Sequence, residues 1–108
     1  MFIVAQIGVS YDSDLKKVEE VTTVVAKEVM REVAGGVPEF DPFIQYTRFA
    51  DSYIEFSINM RVQEFISQSG IQHELIRRLH ARYKQEGIVI PYPIRTVIMK
   101  ELQSKQIE

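Results

Sequence analysis

The residues of this chain whose types and spacing come nearest to chemistry are two histidines and one basic run. His73 and His80 are a heptad apart, which on a helix puts them on nearly the same face. Helical metal sites use i,i+3 or i,i+4 pairs and further ligands, so this spacing reads as two surface histidines. Arg77-Arg78-Leu79-His80-Ala81-Arg82-Tyr83-Lys84 is the densest positive charge. RNA-recognition modules with a similar element order stack bases on aromatics of an open sheet face. Here the corresponding strand turns Tyr53, Glu55, Ser57, Asn59 and Arg61 outward, with a carboxylate in the middle. Basic side chains late in a helix also complement its dipole without a partner. The run therefore reads as a solvated helical face, and no nucleic-acid partner is expected.

The remaining candidates have plain structural roles. Asp12, Asp14, Asp41 and Asp51 each stand beside a helix start or a turn, where capping accounts for them. Gly35-Gly36 is not followed by the helix that a phosphate-binding loop requires. No serine sits in a nucleophile elbow. The chain has no cysteine, which excludes thiolate catalysis, disulfides and sulfur-ligated zinc. The expectation is a protein with no catalytic residues, no metal and no cofactor.

The elements that would carry these residues follow from periodicity. Residues 2–11 alternate, with Ile3, Ala5, Ile7 and Val9 on one side, as in a half-buried strand. Asp12-Ser13-Asp14 supplies a helix cap, and from Leu15 the apolar positions Val18, Val21 or Thr22, Val25, Val29 and Val33 keep helical spacing. Gly35-Gly36 ends that helix and Pro38 follows. Residues 43–50 and 52–62 read as two further strands joined through Ala50-Asp51-Ser52. Ser69 to Gln72 fits a capping box for a second helix that buries Ile71, Leu75, Leu79 and Tyr83. Gly87 stops it, Ile88-Val89-Ile90 reads as a short strand, and Pro91-Tyr92-Pro93 breaks it. Thr96 to Met99 is again extended, and a polar tail runs to Glu108.

The order strand, helix, strand, strand, helix, strand predicts an α+β fold, a ferredoxin-like βαββαβ sandwich. Two helices would lie on one face of a mixed or antiparallel four-stranded sheet, with an extra C-terminal extended strand. One domain over 1–108 is expected, its core at about 2–93. With 45% hydrophobic residues, the chain has enough apolar surface for one core. A net charge of −2 gives no general drive toward nucleic acid or an anionic bilayer. No apolar run approaches the ~20 residues that span a membrane, and no secretory signal is apparent at the N-terminus. Alone, the chain is expected to be soluble.

Two stretches carry a family resemblance. Gly8-Val9-Ser10-Tyr11-Asp12-Ser13-Asp14-Leu15 resembles the opening of the C-terminal α/β domain of small-conductance mechanosensitive (MscS) channels. Gly87-Ile88-Val89-Ile90-Pro91-Tyr92-Pro93-Ile94-Arg95-Thr96-Val97 is similar to that domain's ending, with Ile94 where the family usually has glutamine. The resemblance implies a piece of a larger membrane protein, on the cytoplasmic face of the inner membrane. It implies a heptamer that opens under tension to relieve osmotic stress, in which this domain lines a vestibule. It also implies that the segment after the Pro-Tyr-Pro break gives one strand per subunit to a small barrel. The candidate self-assembly residues are Pro91, Tyr92 and Pro93 as a rigid exit, and Arg95, Thr96, Val97, Ile98 and Met99 as inter-subunit contacts. An unpaired apolar strand is a hazard unless paired or covered, and a ring of identical strands removes its edge. The alternative is a free-standing ferredoxin-like regulatory domain that binds a small ligand and dimerises through its sheet; an RNA-binding module using Arg77–Lys84 is weaker still.

Overall fold

The structure, a computed structural model, describes residues 1–91. The elements in order are β1 (Phe2–Val9), α1 (Leu15–Glu32), β2 (Phe43–Phe49), β3 (Ile54–Arg61), a 3₁₀ turn (Phe65–Ser67) and α2 (Gln68–Glu86). The expected α+β class with two helices is what forms. Among the described residues the sheet has three strands, ordered β1-β3-β2, and both pairings are antiparallel.

The fourth strand expected at 88–90 does not join it. Val89 makes a single ladder-type bond, accepting from Ser10 N–H at 2.9 Å. The next residue in that backbone phase is Pro91, which has no N–H to give. The apolar run was legible, but the missing donor stops it from propagating.

Each helix forms for local reasons and is held by packing. Asp14 caps α1, its Oδ1 accepting from the backbone of Lys16 at 3.1 Å and Lys17 at 3.3 Å. The buried stripe of α1 is Val18, Thr22, Val25, Ala26, Val29 and Met30. Gly35 takes φ +95°, a left-handed conformation that costs glycine little. Gly36 lies so close to the backbone of Met30 that any Cβ would overlap it, so this glycine is required by close approach.

The capping box expected at Ser69 and Gln72 is not present. The 3₁₀ turn runs directly into α2, so Ser67 is already helical and its side chain makes no cap bond. Ser69 therefore lies within the first turn of α2 and not at its N-cap position. The end of α2 is as expected: Gly87 takes φ +74° and its N–H reaches the carbonyl of Tyr83.

One face of the sheet meets both helices. Ile3, Phe56, Ile58 and Met60 join Val18, Val25, Val29, Met30, Ile71, Leu75, Leu79 and Tyr83 in one buried cluster. At ~1.5–3 kcal/mol for each fully buried large apolar side chain, this cluster dominates the fold's stability. The buried hydroxyls of Thr22 and Tyr83 share a hydrogen bond across the two helices. Burial pushes the Tyr83 phenol up, with the Thr22 bond opposing it. Tyr46, on β2, packs edge-on to Phe56 and donates to the carbonyl of Leu15 at 2.8 Å.

Removing only one hydroxyl of the Thr22–Tyr83 pair strands the other in the core. Tyr83→Phe is expected to destabilise by about 1–3 kcal/mol in urea unfolding, and adding Thr22→Val should recover part of that loss. Tyr46 gives a second test. Burial first, then the charge of Glu19, pushes its phenol from 10 to about 12. The neutral form is favoured by folding, so its contribution is complete below pH 10 and is lost as pH rises through about 12. Tyrosinate absorbance should show a late-ionising component that loses the Tyr46 contribution in Tyr46→Phe while the raised Tyr83 phenol remains.

Candidate self-assembly surface

The exit of the chain is built on α2, which α1 holds in place. The two helices run antiparallel and are clamped along their length. Arg78 reaches Glu32 at 2.9 Å, Arg82 reaches Glu28 at 3.4 Å, and Lys17 reaches the Glu86 carboxylate at 3.5 Å and its carbonyl at 2.9 Å. The Thr22–Tyr83 bond lies between these pairs. Three cations of the basic run are thus engaged by carboxylates: Arg77 and Arg78 by Glu74, and Arg82 by Glu28. The sequence shows the charge but not its partners, because Glu28 and Glu32 come from a helix ~50 residues away along the chain. His73 and His80 are both exposed, and no metal-holding cluster occurs among the described residues.

Beyond α2, Ile88 is buried and its N–H bonds to the carbonyl of Tyr83 at 2.9 Å. Val89 and Ile90 turn outward, 57% and 45% exposed. Ile90 and Pro91 close one side of a cleft of about 240 Å³, whose other walls are Gln6, Ile7, Gly8, Tyr53 and Glu55. The Tyr53 ring occupies the place where a side chain on Gly8 would be. Pro91 therefore leaves the domain beside the outer edge of β1. Of the residues singled out for self-assembly, Pro91 is placed at this exit. Tyr92, Pro93, Arg95, Thr96, Val97, Ile98 and Met99 lie outside the described residues.

The outer edge of β1 is the part of this surface that the sequence did not announce. Met1 and Val62 exchange both backbone bonds, at 2.9 and 3.0 Å. The register Phe2↔Arg61 then turns the N–H and C=O of Ile3, Ala5, Ile7 and Val9 toward β3. Those of Phe2, Val4, Gln6 and Gly8 point away from it. They find no backbone partner among the described residues. Alternation in the sequence separates two faces of a strand but is silent about its two edges.

The residues 3–90 match the family model for the MscS mechanosensitive ion channel C-terminal domain. The chain belongs to that family. Solved MscS-family channels share the fold. Helicobacter pylori MscS in its closed state is 26% identical, with 85% of this chain and 35% of that one covered and a TM-score of 0.60. Arabidopsis thaliana MSL1 A320V is 14% identical, with 84% and 35% covered and a TM-score of 0.61. Wild-type AtMSL1 is 18% identical, with 84% and 32% covered and a TM-score of 0.58. The chain thus spans about a third of the length of these channels, and no curated protein matches it. The MscS family is one of channel domains rather than enzymes. No helix of the described residues is long and apolar enough to cross a membrane.

The ion-pair network on α2 sets a measurable expectation. Hydrogen bonds from Arg77, then Arg78, hold the Glu74 carboxyl down to about 2, from an ordinary 4.5. Its contribution is complete above pH 4.5 and is lost as pH falls through about 2. NMR titration of the Glu74 side chain should show it still ionised well below its ordinary midpoint of 4.5. In Arg77→Gln its midpoint should move up.

Proposed function

We propose that this chain is a non-catalytic self-assembly domain of an MscS-type mechanosensitive channel. It forms part of the cytoplasmic vestibule below a pore that relieves osmotic stress. The observation that carries this reading is the family match across residues 3–90, with the chain leaving the fold at its end, beside the β1 edge. The clamped helix pair suits such a part, because a wall must keep its shape while the membrane portion changes. Pro91-Tyr92-Pro93 provides a stiff exit. Arg95 to Met99 then supplies extended chain for contact with other subunits, in the heptameric ring that the family resemblance implies. Membrane attachment comes from segments of the larger protein, and neither cofactor nor nucleic acid has a role.

Deletion of residues 95–108 tests the assembly part of this reading. In this reading the segment serves assembly and not the core, so the truncated chain is expected to unfold within about 4 °C of the full chain. Sedimentation equilibrium should show weaker self-association. Global unfolding of the truncated chain would place the segment in the core instead, and unchanged association would remove it from the interface.

A further inference from the structure

The polar contacts that join α1 to α2 differ in what surrounds them. Thr22–Tyr83 is a neutral hydrogen bond inside the core. Lys17–Glu86, Arg78–Glu32 and Arg82–Glu28 are ion pairs that water reaches. Their side chains are 44% and 39%, 26% and 50%, and 33% and 28% exposed. Dissolved salt screens charges that water reaches and leaves a buried neutral bond untouched.

These charges also act on one another. Glu28 and Glu32 are about 6 Å apart along the α1 axis, and Arg82 and Arg78 oppose them with the same spacing. Each arginine therefore feels the second carboxylate as well as its own. The Debye length falls from about 30 Å at 0.01 M salt to about 8 Å at 0.15 M and about 3 Å at 1 M. The longer attractions fade across the middle of that range, and the contact pairs, at 2.9 to 3.5 Å, fade at its upper end. The summed pull of α1 on α2 thus changes gradually with salt. What it holds is the exit. Tyr83 is the last buried side chain of α2. Beyond it, Lys17 grips the carboxylate and the carbonyl of Glu86, Ile88 N–H bonds to the Tyr83 carbonyl, and the Val89 carbonyl accepts from Ser10 N–H.

We propose that this clamp makes the chain's exit respond to ionic strength. Dilution of the surrounding electrolyte tightens the last turn of α2 on α1, and concentration loosens it. The apolar stripe of α2 and the Thr22–Tyr83 bond hold the fold together throughout. The use of the device rests on the self-assembly reading. A cell that takes up water dilutes its own electrolyte, so a vestibule wall built this way is stiffest when the pore has to open.

Amide hydrogen exchange of the full chain, followed by NMR in KCl from about 0.01 M to about 1 M, tests this. Exchange at Ser10 and Ile88 should be slower by about threefold or more at the low end, relative to Phe56 in β3. Sucrose at matched osmolality should not reproduce the loosening caused by KCl. Glu32→Gln combined with Glu86→Gln removes the carboxylates of the two pairs most open to water. In that variant the salt profile should be nearly flat, with the unfolding midpoint as control. Salt-independent exchange at Ser10 and Ile88 overturns the proposal, and so does a profile unchanged in the double variant. A parallel change at Phe56 overturns it too, because salt would then act on global stability. Sedimentation of the same samples keeps the two readings apart. A flat profile in a chain that associates sinks the clamp and leaves self-assembly standing, whereas a graded profile in a chain that never associates supports the clamp and sinks its use.

Discussion

β3 is the strand on which every other element depends. Both of its edges are paired, to β1 along its whole length and to β2 with one bulge. Its inner face, Ile54, Phe56, Ile58 and Met60, is buried. β1 and β2 have no strand neighbour except β3 among the described residues, so their positions are set by its register. A slip of one residue would turn Phe56, Ile58 and Met60 to the open face and Glu55, Ser57 and Asn59 into the core. Burial of those polar side chains without partners is costly enough to forbid the slip.

The helices answer to the same constraint. α2 presents only Ile71, Leu75, Leu79 and Tyr83 as buried residues, a stripe one side chain wide. Such a stripe fixes a helix along its axis less firmly than it fixes its rotation. The polar contacts with α1 supply what the stripe lacks. Thr22–Tyr83 is buried, Arg82–Glu28 is half-buried, and Arg78–Glu32 and Lys17–Glu86 are at the surface. The surface pairs add little energy, but each matches one residue of α2 to one of α1, which fixes the axial position. The site where the chain leaves the fold inherits that precision, since Ile88 is tied to the last turn of α2 by its bond to Tyr83.

In the self-assembly reading proposed above, function would come from edges and exits and not from side chains gathered around a reacting atom. Several polar side chains have structural partners: Asp14 caps a helix, Glu74 holds two arginines, and Glu55 holds Arg48 and Thr47. Among the described residues, the outward backbone groups of Phe2, Val4, Gln6 and Gly8 have no backbone partner, and Val4, Val89 and Ile90 are exposed.

Much of this was legible in the order of residues. Period-two alternation marked β1 and β3, and period-four spacing marked the buried stripe of α2 to the residue. Asp14 and Gly87 marked helix ends because their local chemistry is sufficient by itself. The family, too, was legible, from Gly8–Leu15 and Gly87–Val97. Other features depended on contacts between distant parts of the chain. Thr22, rather than Val21, is buried because the Tyr83 hydroxyl is there to meet it. Gly36 is needed because Met30 lies against it. Ser69 is not a cap because the chain turns helical before reaching it. The fourth strand fails because a proline falls in the one backbone phase that faces β1, and that phase exists only once β1 has paired with β3. Local periodicity determined which residues point inward; the tertiary fold alone decided which backbone groups were left without a partner.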